Sequence, residues 1–182
     1  DINEWLGFNY KQYLSNINSV LSEYDFNQLK AVTEAEYAAG YLNDEQIGKL
    51  RNVLEKGFKN GWSMTEISKQ IDRNVGLKDL YKMTEDGKIK TGVSGLPILA
   101  KSADKRSMTI ARTEVTRIAN RGAENYYKEN GITNVRWVAS YGDRTCPDCE
   151  SLNNQIFSIG QTPEIPLHSL CRCTIVPVTE VK

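Results

Sequence analysis

All four cysteines and the single histidine of this chain fall within one 28-residue stretch, from Cys146 to Cys173. The stretch opens with Cys146-Pro147-Asp148-Cys149 and, after eighteen intervening residues, closes with His168-Ser169-Leu170-Cys171-Arg172-Cys173. A Cys-x-x-Cys turn aims two thiolates at one point, and a second short Cys/His motif can complete a tetrahedral sphere from the other side, which is the ligand pattern of structural zinc. Five candidates compete for four places. Cys146, Cys149, His168 and either Cys171 or Cys173 form the preferred set; an all-cysteine set is the alternative, with the fifth residue supporting the site from outside. Two other readings stay open: a pair of disulfides, which a reducing compartment disfavours, or unpaired buried cysteines beside a hydrogen-bonded histidine.

One zinc ion per chain is therefore expected, in a structural role. A catalytic zinc keeps an open coordination position and an acid or base beside it, whereas here at least four ligands are available to close the sphere. Zinc deaminases place His-x-Glu before Pro-Cys-x-x-Cys. In this chain the histidine follows the Cys-x-x-Cys, and no His-x-Glu occurs. A redox role for Cys-x-x-Cys would need a thioredoxin-like βαβ context, which is missing. The segment is poor in aliphatic residues, so a metal can stand in for a core; structural zinc contributes ~10–16 kcal/mol of apparent binding free energy in small modules. Arg112, Glu114, Asp143 and Arg144 are the charged residues nearest this pattern. Arg112 and Glu114 are two apart on a helix and face different ways, so each needs another partner; the plain alternative is a solvated face. No catalytic or cofactor-binding residue is assigned.

The elements that must hold this constellation read as α+β: a mainly helical N-terminal part, then a long helix and a small β-containing, zinc-stabilised module. Tyr10, Tyr13, Leu14, Ile17 and Leu21 recur at helical spacing, as do Phe26, Leu29, Thr33 and Tyr37. Asn43 with Gln46, and Ser63 with Glu66, have the capping-box pattern that opens helices. Ile47, Leu50, Leu54 and Phe58 form the stripe of the first of these, Ile67 and Ile71 that of the second. From Asn74 to Ser102 the periodicity fails amid glycines and Pro97; Lys82–Thr84 and Lys88–Lys90 can pair across Asp86-Gly87, or the stretch is a mobile loop. The longest helix is expected over Asp104 to Glu129, with small residues Ala119, Gly122 and Ala123 allowing another element to approach closely and Gly131 as its stop. Short β-rich runs follow at Val135–Ser140, Gln155–Ile159 and Thr174–Val178. The expected division is 1–74 helical, 75–102 linker and 103–182 Cys/His module. Trp137 and the tyrosines are expected in packing, since no basic cluster interleaves with them to make a base-stacking platform.

The 23 basic and 23 acidic residues cancel, which argues against a protein whose main task is coating nucleic acid. No stretch approaches the roughly 20 apolar residues of a membrane span and no signal segment opens the chain, so a soluble, intracellular protein without membrane contact is expected. Asp1 is the first residue and Met64 the earliest methionine; the sequence reads as a processed or excised piece of a longer one.

The run Ala111-Arg112-Thr113-Glu114-Val115, then Gly131, Trp137 and Asp143-Arg144-Thr145-Cys146-Pro147-Asp148-Cys149, closing with Pro166-Leu167-His168-Ser169-Leu170-Cys171-Arg172-Cys173 and Pro177, resembles the phage Mu F-like family over about residues 105 to 178. These are minor head, or head-morphogenesis, proteins of tailed phages and prophages. The family's recurring positions fall here on Arg112, Glu114, Asp143, Arg144, Cys146, Cys149, His168, Cys171 and Cys173. Leu167 stands where a second proline is often found, a departure that touches local backbone rigidity. The resemblance implies a structural, non-enzymatic protein that associates with portal or capsid during head assembly and genome packaging or delivery, with packaged DNA as a further candidate partner and no small-molecule substrate. Its place would be the virion, and the host cytoplasm during assembly. The rival reading is an enzyme acting on nucleic acid, a nuclease or transferase with Arg112, Glu114 and Asp143 gathered near the metal; a third is DNA binding through the Cys/His site, weakened by Asp143, Asp148, Glu150 and Glu164 around it.

Overall fold

The computed structural model describes residues 9–23, 42–82, 84–97, 99–140, 142 and 145–178. They form a mixed, mainly helical fold with small antiparallel sheets. In chain order the elements are α1 (Tyr10–Glu23), α2 (Asp44–Lys59), α3 (Met64–Val75), β1 (Leu80–Tyr81), β2 (Leu99–Lys101), α4 (Ala103–Glu129), β3 (Asn134–Val138), α5 (Pro147–Leu152), β4 (Ile156–Ser158) and β5 (Thr174–Pro177). The chain divides into two compact units, Asp25–Ala111 and Asp1–Tyr24 with Arg112–Lys182, so α4 runs through the division. The helical periodicity at Phe26 to Tyr37 lies outside the described residues.

In the unit Asp25–Ala111, α2 begins with a complete capping box. The Asn43 side chain accepts from the Gln46 amide at 2.9 Å and the Gln46 side chain accepts from the Asn43 N–H at 3.1 Å. Gln46 also donates to the Val75 carbonyl at 3.2 Å, tying the start of α2 to the end of α3. The box expected at Ser63 forms only by half. Ser63 Oγ accepts from the Glu66 N–H, but the Glu66 carboxylate takes the Gln70 amide at 2.7 Å instead of reaching back; an i,i+4 partner on the helix surface competes successfully for it. Leu50, Val53 and Leu54 of α2 are buried, as are Ile67, Ile71 and Val75 of α3. The stretch read as a linker contains a short antiparallel pair, β1 with β2. Between them the chain turns at Asp86-Gly87, where Thr84 N–H meets the Lys88 carbonyl at 2.8 Å and Lys90 N–H the Lys82 carbonyl at 2.7 Å. Strands of two and three residues are too short to show the alternation by which strands are recognised in sequence.

In the other unit, α1 lies against α4 at a point where a side chain is missing. A β-carbon added at Gly122 would stand 2.6 Å from Ile17 Cδ1 and 3.6 Å from its Cα, and Ile17 is fully buried. The expected close approach is made by α1. Polar contacts fix the same pairing: Tyr126 Oη accepts from Asn9 N–H at 2.9 Å, and Glu129 accepts from Gln12 and Asn16 at 3.0 and 3.1 Å. Helix α4 ends at Gly131 (φ +74°), with the Ile132 N–H returning to the Tyr127 carbonyl at 3.0 Å, a glycine-dependent stop.

The sheet of this unit has the order β4-β3-β5, all antiparallel. Val135 lies opposite Phe157, and Trp137 opposite Ile175. Val135 and Trp137 point inward from β3 while Arg136 points out, so a period of two divides core from solvent. Trp137, Val135, Ala139, Ile165 and Ile175 share one cluster with Cys149, Cys171 and Cys173. The sulfurs are thus part of an apolar core built around a completely buried tryptophan, and do not replace one. The β3 strand ends at Val138, short of Ser140, and β4 is limited to three residues.

The Gly122 contact can be tested by a double-mutant cycle. Gly122→Val should lower stability by about 1–3 kcal/mol through overpacking, read from urea midpoints. In an Ile17→Ala background the same substitution should cost clearly less. An equal cost in both backgrounds would show that Ile17 is not what requires a glycine there.

Candidate metal centre

The two segments that carry the candidate ligands have little regular structure of their own, and one face of α4 holds the second of them. Thr113 Oγ1 accepts from the Leu170 N–H at 3.2 Å, and Thr116 Oγ1 lies 3.5 Å from the Cys171 carbonyl. Asn120 Oδ1 accepts from the Ile175 N–H at 3.1 Å and from Thr174 Oγ1 at 3.0 Å, while its amide donates to the Thr116 carbonyl at 2.8 Å and reaches the Cys173 carbonyl at 3.4 Å. Residues 113, 116 and 120 are three and four apart and so share a face. Beside them, Arg117 and Arg121 pair with Glu164, and Glu124 accepts from the Gly160 N–H at 3.1 Å. This face is a docking surface for the loop 160–164 and the ligand segment 170–175.

The first segment builds its own geometry. Cys146 is the N-cap of α5, with Pro147 at the first helical position, where its missing N–H costs nothing. The Cys146 sulfur accepts from the Cys149 N–H at 3.3 Å. One turn of helix then brings the Cys149 side chain alongside. In the second segment, the Cys171 N–H closes onto the His168 carbonyl at 3.2 Å, with Leu170 in the left-handed region (φ +60°). A leucine there costs roughly 1–2 kcal/mol.

The donor atoms converge. His168 Nε2 is 3.3 Å from the Cys146 sulfur and 3.2 Å from that of Cys149, and the Cys149 and Cys171 sulfurs are 3.7 Å apart. Around a tetrahedral zinc with ligand bonds of about 2.0–2.3 Å, sulfur–sulfur edges are about 3.8 Å and sulfur–nitrogen edges about 3.5 Å. The His168 edges to Cys146 and Cys149 and the Cys149–Cys171 edge are close to those lengths, and Cys146, Cys149 and His168 form one compact triplet. Cys149, Cys171 and Cys173 form a second triplet, all three buried. All four cysteines are free, and the 3.7 Å sulfur separation is far from the ~2.05 Å of a disulfide.

Electrostatics divide the cluster into a rim and an interior. The Cys149 N–H bond, chiefly, holds the Cys146 thiol below its ordinary pKa. Burial pushes Cys149 and Cys173 up, so these sulfurs lose their protons readily only to a cation. Among the smaller influences on Cys173, the buried indole N–H of Trp137 acts in the opposite sense and favours the thiolate. His168 Nδ1 lies 2.8 Å from the Ser169 carbonyl, which can only accept. Nδ1 therefore carries the proton, and in the neutral ring Nε2 turns its lone pair toward the sulfurs, the arrangement seen in metal-ligating histidines.

Comparison with known proteins gives this cluster a family. Residues 48–176 match the family described as Phage Mu protein F like protein. The chain belongs to that family. It is 26% identical over 156 residues to an uncharacterized protein of Haemophilus influenzae, an alignment that covers 84% of this chain and 34% of that protein. The chain thus spans about a third of that relative's length. No solved structure matches the chain.

In this Mu F-like chain the other sequence-selected residues separate. Arg112 lines a cavity of about 560 Å³ beside the cluster, together with all four cysteines and His168. Glu114 does not line it. Glu114 is 2% exposed, and its carboxylate stands 3.4 Å from the Arg117 guanidinium. Asp143 and Arg144 lie outside the described residues. Sequence reading missed the polar rungs of α4. A signal was there: Thr113, Thr116 and Asn120 are poor helix formers in the middle of a long helix, at spacings that share a face, where hydroxyl and amide side chains are kept for bonds to backbone.

Asn120→Leu should therefore destabilise the protein by about 1–3 kcal/mol, because the buried Ile175 N–H loses its acceptor. Thermal melting measures the loss, and amide exchange localises it. Ile175 should exchange faster relative to the buried strand residue Val135. Unchanged protection at Ile175 would mean that Asn120 is not what holds β5.

Proposed function

We propose that this chain is the Cys/His-bearing part of a phage minor head protein that works by binding and not by turnover, with its ligand segments fastened by one structural zinc ion. Membership of the Mu F-like family points to phage head morphogenesis. The observation that carries the finer reading is the gathering of donors into two groups that share Cys149, one with Cys146 and His168 and one with Cys171 and Cys173, enough to fill a tetrahedral sphere with no position left for a reacting molecule. Cys173, packed against Trp137 and the other two buried sulfurs, supports the set from the apolar side. Bound zinc would supply cross-linking there, joining residues 146–149 to 168–171. The partners are the portal or the capsid shell, with packaged DNA as a possible neighbour, and the protein's place is the virion.

Glu114 bears on the rival enzyme reading. An acid or base must reach the reacting group, and this carboxylate is buried against Arg117 away from the cavity. Among the described residues no helix is long and apolar enough to cross a membrane, in keeping with a partner met in water.

Metal analysis of protein purified without added zinc tests the centre directly. One zinc per chain is expected, with thiols released only on chelation. Cys171→Ser should lose the metal and lower the melting temperature, whereas Cys173→Ser should keep the metal. The opposite pattern would exchange the roles of these two cysteines, and absence of metal from every preparation would sink the zinc. Co-sedimentation with cognate portal oligomers or procapsids tests the binding role. Failure to associate with either would count against it, as would a nucleic-acid-cleaving activity abolished by Glu114→Ala in a folded protein.

A further inference from the structure

We propose that the cavity beside the Cys/His cluster is a binding site for a phosphate group, with Arg112 and Arg172 as its cationic walls. Arg112 reaches it from α4, and Arg172 from between Cys171 and Cys173. Both guanidinium groups are without a hydrogen-bond or ion-pair partner in the described structure, unlike the neighbouring arginines of α4. Arg117 and Arg121 are paired with Glu164, and Arg106 donates to the Lys78 carbonyl at 2.6 Å. Arg112 is half-buried as a residue, and its guanidinium is left to bond water or a ligand. No carboxylate is among the described residues that line the cavity, while the hydroxyl-bearing side chains of Ser140, Thr145 and Ser169 are.

The chemistry that satisfies such a lining is an oxyanion with several acceptor oxygens. Two guanidinium forks arriving from different elements suit a tetrahedral phosphate, whose oxygens point several ways; a planar carboxylate is saturated by one fork. The cavity, about 560 Å³, takes in the space among the Cys/His donors as well as that beside Arg112 and Arg172, and is larger than one phosphate and one metal ion together.

Calorimetric titration of the full chain, its metal content measured beforehand, decides the matter with three probes: inorganic phosphate, a short single-stranded oligodeoxynucleotide, and acetate. Saturable binding of phosphate or of the oligonucleotide is expected, and either supports the site. Phosphate alone identifies a small phosphorylated ligand, and much tighter oligonucleotide binding identifies a nucleic-acid backbone. Arg112→Gln should weaken binding about tenfold, equal to ~1.4 kcal/mol, and Arg112→Lys should weaken it less. Arg172→Gln, at an exposed position that the fold does not depend on, should also weaken it. Zinc content should be unchanged in all three variants, so failure here is separable from failure of the metal centre. Binding of neither phosphate probe, affinity unchanged by both glutamine variants, or acetate held as tightly as phosphate would overturn the proposal.

Discussion

Cysteine and histidine side chains from two separate segments can gather only if those segments are held on something stiffer than themselves. Here the segments are eighteen residues apart, and the first is regular only over the six residues of α5, the second not at all before β5. The stiff element is α4. Its rungs at Thr113, Thr116 and Asn120 take the backbone of residues 170–175, and those at Arg117, Arg121 and Glu124 take the loop 160–164. A helix keeps residues three and four apart on one face whatever happens around it. The positions of Cys171 and Cys173 are therefore set by the register of α4 as much as by their own loop, and Gly122 lets α1 brace the same helix by close packing.

The parts legible in the sequence were those whose signals are local. The capping pair at Asn43 and Gln46, the long helix with its Gly131 stop, and three β-rich runs all express short-range backbone chemistry, and the elements follow them to within a few residues. The clustering of Cys146, Cys149, His168, Cys171 and Cys173 in sequence likewise anticipated their clustering in space. What stayed hidden depends on which of several partners a side chain takes. Whether Glu66 reaches back to complete its box is decided by Gln70, and whether Glu114 faces solvent or a partner is decided by Arg117. The polar rungs Thr113, Thr116 and Asn120 of α4 went unread, because a sequence does not say which side of a helix another segment will cross. The pair β1–β2 was invisible for want of length.

The sulfurs sit in the core, and this shapes what the centre can be. Cys149, Cys171 and Cys173 are packed with Trp137, Val135 and Ile175, so deprotonating any of them without a cation would leave a charge in apolar surroundings. A metal held here would couple three things that are separate in most small domains: closure of the loop 150–167, completion of the tryptophan core, and docking of residues 170–175 onto α4. Loss of any one would weaken the other two.

Under the proposed zinc reading, that coupling suits a cluster with five candidate donors to fastening more than to chemistry. Turnover at a metal requires a ligand position that opens and closes with each cycle. In this chain every donor on the interior side is also a piece of the core, and a sulfur that swung away would leave a void beside Trp137. On the rim are Cys146, whose thiol is held below its ordinary pKa by the Cys149 N–H, and His168, fixed in its tautomer by the Ser169 carbonyl. Both border the Arg112 cavity. The two guanidiniums we propose as phosphate contacts come from α4 and from between Cys171 and Cys173, so the spacing that would select a ligand is set by the docking of the second segment onto α4.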